Sequence, residues 1–336
     1  LGLMAATAGV SLLTGAAVAQ TAPAPTPPAG GFYMADGTRT ANYQTALASW
    51  RSDAQFSVDY SKRFLGLEHA YAMGLTGRGQ TVGVNDAGVY MDHPLFGSAG
   101  KVTGLRTQVV EGYGNDGRIN PRRRWEGHGT HVSGTIAGDR IAGQPMFGNA
   151  YGAKLYVATT NFAAGDFLWF KDVYIDGDIV ATSNQNIVDL ANTGQVRIIN
   201  NSWGIGITDR FDLGGRDPAY PHFTVNDAQV QFNEIRTLLG SKPGGAYDGA
   251  IAAARSGIVT IFAAGNDYNL NNPDAIAGLG YFVPDIAPNW ITVAALQKNP
   301  DLASANPYIM STFSSRCGYT ASFCVSAPGT KIFSAI

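Results

Sequence analysis

Three residues fall at places where they can do chemistry. Asp86 closes the short apolar run Thr81-Val82-Gly83-Val84 within Asn85-Asp86-Ala87-Gly88. His128 and His131 open a segment rich in small residues, Gly127-His128-Gly129-Thr130-His131-Val132-Ser133-Gly134-Thr135-Ile136-Ala137-Gly138. A histidine in the first turn of a helix works as a neutral base, because the helix N-terminus disfavours its charged form. A buried carboxylate beside it acts the other way. It holds the tautomer and stabilises the imidazolium during proton transfer. Asp86, at the end of a buried strand, is the candidate for that carboxylate. Taken alone, Asn-Asp-Ala-Gly reads as a turn. His131, three residues along the same helix, reads as a packed histidine. A zinc pair is the rival, but His-x-x-His lacks the glutamate of the H-E-x-x-H helix, and Asp92-His93-Pro94 reads as a turn. The sequence assigns no metal site.

These residues need a scaffold. Thr81–Val84, Lys154–Thr159, Val196–Asn200, Ile258–Ala263 and Trp290–Ala294 read as short apolar strands. Ala246–Arg255 reads as a helix, closed by Gly257. Continuous apolar strands alternating with helices predict a parallel sheet covered on both faces. In such sheets functional groups gather at the carboxyl ends of the strands. Asp86, Asn201 and Asn266 all follow strands, so they are expected to converge on one edge. Residues 31–75 read as an N-terminal arm, with one helical stretch over Phe64–Met73.

Four segments, in order, resemble the subtilisin-like serine proteases, the subtilases. GQTVGVNDAGVYMDHPLF resembles the aspartate segment, and GHGTHVSGTIAG the histidine segment. IINNSWG resembles the strand that lies along bound peptide, and GIVTIFAAGND the segment with the oxyanion-hole asparagine. The resemblance covers Thr76 to Ile336, and its finer pattern resembles autotransporter-type subtilases. It implies an α/β three-layer sandwich and a serine endopeptidase that forms an acyl-enzyme. His128 would be the base, Asp86 its orienter and Asn266 the oxyanion donor. Ser202-Trp203-Gly204 would run beside the substrate, with Gly204 letting the peptide come close. Ala264 and Gly265 would line the first pocket. Trp203 reads equally as a pocket wall or as core. One residue departs from the family: Ala87 stands where Ser or Thr is usual. The resemblance also brings structural calcium as an expectation, for which no ligand cluster is specific enough to assign, and no cofactor for the chemistry.

The family's nucleophile lies in a Gly-Thr-Ser segment after the Ala327-Pro328-Gly329 region. No Gly-Thr-Ser occurs in the 336 residues, and Ser314 and Ser315 read as turn or strand-end residues. The expectation is a fragment that holds the base, its orienter and an oxyanion donor without the serine, and that is inactive as written. A non-catalytic binding or adhesin passenger on the same fold is the alternative.

Leu1–Ala19 is apolar and ends Ala17-Val18-Ala19, which reads as part of a signal peptide in preference to a transmembrane anchor. Residues 20–30 read as a Pro/Ala-rich linker, and residues 76–336 as an incomplete catalytic domain. Export permits a disulfide between Cys317 and Cys324 that staples one local loop. Polypeptides are the expected partners, and the autotransporter resemblance adds a C-terminal outer-membrane β-barrel in the full-length protein. The expected location is outside the cell or at its surface. A formal charge of −2 with no basic stripe argues against nucleic acid.

Overall fold

The computed structural model describes residues 25–86, 88–106, 127–159, 177–205, 223–240, 245–267 and 271–335. The expected signal segment, residues 20–24 of the expected linker and Ala87 lie outside the described residues.

The chain opens with a two-stranded ribbon, β1 (Phe32–Tyr33) and β2 (Arg39–Thr40), and three helices, α1 (Tyr43–Ser52), α2 (Ser61–Phe64) and α3 (Leu67–Ala72). Then come β3 (Thr81–Asp86), β4 (Val102–Arg106), α4 (His128–Ala137), β5 (Lys154–Thr159), α5 (Gly177–Asn192) and β6 (Val196–Asn201). The remainder holds α6 (Val225–Leu239), α7 (Asp248–Arg255), β7 (Val259–Ala263), α8 (Leu279–Phe282), β8 (Trp290–Lys298), β9 (Tyr308–Met310) and β10 (Cys324–Pro328). The five predicted strands and the predicted helix are present.

The main sheet runs in the order β10-β8-β7-β6-β3-β5-β4, with every pair parallel, and β9 adds antiparallel to the end of β8. Side chains alternate across it. On β5, Leu155 and Val157 pack with Val82, Val84 and the α4 residues Val132 and Ile136. Tyr156 and Ala158 pack on the other face, with Ile187 and Leu190 of α5. That second core continues into α6 and α7 through Phe232, Ile235, Leu239, Ala250 and Ala253. The molecule is therefore the predicted three-layer α/β sandwich. After β3 the chain first builds β4 and β5 on one side and then crosses to build β6 on the other. The strand ends beside β3 thus form a topological switch point, where such sheets place their ligands.

The predicted single helix over Phe64–Met73 is two helices. Gly66 between them adopts φ +65°, a left-handed conformation that ends one helix before the next begins. The arm is also richer than the sequence indicated. Phe32, Leu47, Trp50, Phe56 and Tyr71 form a core of their own with Phe147 from the loop after α4. Each fully buried aromatic or aliphatic side chain contributes about 1.5–3 kcal/mol, so this is firm attachment. Polar contacts fix its orientation. Arg140 bonds Asp53 at 2.7 Å and the Ala35 carbonyl at 2.6 Å. Gln55 donates to the carbonyls of Ile141 and Gln144 at 2.8 and 2.7 Å. Among the described residues no helix is long and apolar enough to cross a membrane.

Candidate active site

Val82, Val84 and Asp86 share one face of β3, and that face looks toward α4. Alternation along the strand thus delivers the Asp86 carboxylate to the helix that begins with His128. The two meet: His128 Nδ1 lies 2.6 Å from Asp86 Oδ1. Asp86 is 1% exposed and His128 32%. Burial depresses the imidazolium, but the Asp86 charge and hydrogen bond outweigh it and hold the His128 pKa above the usual 6.5. A carboxylate at Nδ1 fixes that nitrogen as the donor and leaves Nε2 as the basic atom.

His131 has the packing role expected of it. Its Nε2 donates to the Ile332 carbonyl at 3.4 Å, and burial pushes its pKa down. His93 caps the turn after β3, its Nδ1 accepting from Leu95 N at 3.1 Å. Among the described residues no three His, Cys, Asp or Glu side chains are grouped to hold a metal ion.

The strand-end asparagines part company. Asn201 is 1% exposed and does not reach an open edge. Its Oδ1 accepts from Asn85 Nδ2 at 2.8 Å, on the α5 face of the sheet, opposite His128. Asn85 also donates to the Ser183 carbonyl and accepts from Asn186, so this trio ties β3, β6 and α5 together. The expected convergence of Asn201 with Asp86 is corrected on this point. Asn266 is exposed just past β7. β3 and β7 flank β6, so their ends stand about 9–10 Å apart.

Between β6 and β7 the other site candidates take distinct places. Ser202 is half-buried, its hydroxyl accepting from Asn200 at 2.9 Å. Trp203 is core: it is 5% exposed, and its ring meets Phe262 edge-on at 5.3 Å. The wall reading is set aside, because the indole packs beneath the edge. Gly204 has a reason the sequence did not reveal. A Cβ there would stand 2.5 Å from Asp274 Oδ2. Ala264 is buried, its amide bonded to the Val293 carbonyl at 2.8 Å, and Gly265 turns the chain at φ +107°.

Two carboxyls missed by sequence reasoning lie near these strand ends. Asp267, next to Asn266, is raised to about 6 by burial, with the Ser315 hydroxyl opposing the shift. Asp274 is buried, accepts from the Ile205 amide at 2.5 Å and is raised to about 7, again by burial. Asn-Pro-Asp-Ala is legible as a helix start, but its link to Ile205, 69 residues away, is not. Ser314 and Ser315 are buried; Ser315 N donates to the Gly265 carbonyl at 3.0 Å. Ser315 braces the Gly265 turn, in keeping with its turn-like context. Cys317 and Cys324 form the expected disulfide.

A family model described as the subtilase family, Peptidase S8, matches residues 77–335. Two extracellular serine proteases of Serratia marcescens are 31% identical over 308 residues, covering 86% of this chain and 26% of their own length. The neisserial autotransporter lipoprotein NalP of Neisseria meningitidis serogroup B is 27% identical over 214 residues, covering 60% of this chain and 18% of its own length. Among solved structures, fervidolysin from Fervidobacterium pennivorans is 20% identical with a TM-score of 0.47, over 93% of this chain and 36% of that one. The chain spans about a quarter of the length of the Serratia relatives it matches. With the family model covering the whole sheet and the carboxylate–imidazole pair at its switch point, this chain belongs to the subtilase family.

Proposed function

We propose that the complete protein is an exported serine endopeptidase. The observation that carries this reading is the 2.6 Å contact of His128 Nδ1 with the buried Asp86 carboxylate, set at the carboxyl edge of a parallel sheet. In the proposed reaction His128 Nε2 takes the proton of a serine hydroxyl as its oxygen attacks the scissile carbonyl. Asp86 holds the Nδ1–H and stabilises the imidazolium. Asn266 and a main-chain amide hold the oxyanion. The imidazolium returns its proton to the leaving amine, and water then hydrolyses the acyl-enzyme by the same path.

The substrate chain pairs with Ser202–Gly204 as an added strand, with Ala264 and Gly265 across the first pocket. Trp203 supports that edge from within the core. In this reading the serine belongs to a Gly-Thr-Ser segment of the complete protein; the 336 residues contain none. The chemistry assigns no step to a cofactor, and structural calcium has no assigned ligands. Export, and a C-terminal outer-membrane barrel, draw support from relatives named as extracellular and autotransporter proteins.

The full-length protein should hydrolyse casein and react with a fluorophosphonate probe, and the 336-residue chain alone should do neither. His128→Ala should lower kcat by about 10⁴-fold or more. A loss below tenfold, or labelling of the 336-residue chain, refutes the assignment.

A further inference from the structure

Two carboxyl groups raised by burial, Asp267 and Asp274, stand beyond the ends of β6 and β7. One of them carries part of the backbone that follows β6. We propose that Asp274 is a positioning residue: its carboxylate pins the Gly204–Ile205 backbone and so sets the edge against which a substrate strand pairs. The proposal rests on the assignment of Ser202–Gly204 as that edge.

The carboxylate is a two-sided clamp. Oδ2 accepts from Ile205 N at 2.5 Å, and Oδ1 accepts from Ala277 N at 2.7 Å. The second bond anchors it to the turn that leads into α8, and that turn is itself held. Gln231 of α6 accepts from Ala275 N at 2.7 Å. Tyr319 Oη donates to the main-chain carbonyls of Asp274 and Pro273 at 2.8 and 3.2 Å. The frame is therefore rigid, and the edge hangs from it. Gly204 completes the fit: Oδ2 stands where a Cβ would crowd it, at 2.5 Å. Every residue other than glycine would push the edge off its clamp.

The clamp also senses protons. The groups facing the carboxyl are the amides of Ile205, Ile276 and Ala277, the carboxyl of Asp267 and the phenol of Tyr319; among the described residues no cation pairs with it. Burial places its pKa at about 7, with the Asp267 charge adding to the rise and the amides opposing it. Above that pH the ionised carboxylate accepts both bonds. Below it a proton occupies one oxygen, an acceptor is lost, and the edge is released.

The test uses the full-length enzyme and a peptide substrate long enough to pair with the edge. Asp274→Asn keeps the size but turns one acceptor into a donor. KM should rise about tenfold or more, with kcat within about threefold and fluorophosphonate labelling retained. Wild-type KM should rise as the pH falls through about 7, and the variant should lack that rise. An unchanged KM, or the same KM–pH profile in both proteins, overturns the proposal. If the variant does not fold, wild-type KM decides alone, and a flat profile across neutrality overturns it. Absence of fluorophosphonate labelling in the wild type sinks the serine-protease reading, and the positioning role falls with it. Labelling with an unchanged KM sinks the positioning role only.

Discussion

Asp86 and His128 form a pair with one dry end and one wet end: the carboxylate is 1% exposed and the imidazole 32%, at a separation of 2.6 Å. The charge that tunes the base is sealed in the sheet, while the ring it tunes faces outward. Solvent therefore screens the pair on one side only.

That asymmetry sets a pH dependence. Burial lowers the His128 pKa, and Asp86 more than reverses this, lifting it above 6.5. In the proposed reaction the neutral imidazole is the base, so kcat of the full-length protein should fall as pH drops through a value above 6.5. In Asp86→Asn the charge is gone and burial prevails, so the midpoint should move below 6.5 while turnover falls about 10⁴-fold. The kcat–pH profiles of the two proteins check this, and a midpoint that stays in place contradicts it. For folding the sign is opposite. A raised folded pKa stabilises the native state fully below about pH 6.5, and that contribution is lost as pH rises through the folded value.

Asn266→Ala should lower kcat of the full-length enzyme by about 10²–10³, the loss known for such a donor in subtilisin, and leave KM nearly unchanged. Steady-state kinetics on one peptide substrate settles it. A loss expressed in KM instead would make Asn266 a binding residue.

Gly134→Ala should destabilise the 336-residue chain by about 1–3 kcal/mol, since overpacking a filled contact forces the backbone apart. A new Cβ there would stand 2.6 Å from the Ala335 Cβ and 2.8 Å from Ser334 Oγ. Urea unfolding measures the change, and a neutral result would mean that the last residues do not pack on α4.

The arm should behave as part of the domain. Arg140 bridges to Asp53 and the Ala35 carbonyl and lies over the Trp50 and Phe147 rings at 4.7 and 5.2 Å. Arg140→Ala should cost about 2–3 kcal/mol through the lost charged hydrogen bonds and cation–π contacts. Deleting residues 25–75 should leave a chain that aggregates, because it bares Phe147 and Tyr151. A soluble, cooperatively folding deletion variant would show the arm to be detachable.

The strand ends and the first helical turn were legible because short β-branched runs and a comb of small residues constrain their own neighbourhoods. Asp86 and His128 follow from local pattern and come together by strand alternation alone. Asn201 was misplaced because a strand-end position does not say which face a side chain takes. One residue along the strand separates the His128 face from the buried Asn85 network. Trp203 and Gly204 were read for their neighbours in sequence, whereas their places are set by Phe262 and Asp274, distant in the chain. In the arm, Tyr43–Ser52 carries a weak apolar pattern, and its helix is fixed by a core that includes Phe147, about a hundred residues later.

The strap across α4 has a consequence in time. Ile332 and Ser334 hold the His131 turn through the Ile332 carbonyl at 3.4 Å and Ser334 Oγ at 2.6 Å, contacts that span 201 and 203 positions. The turn that follows His128 gains these two contacts only after some two hundred later residues have been made. Until then the histidine segment of a half-made chain is held by fewer bonds than in the finished one.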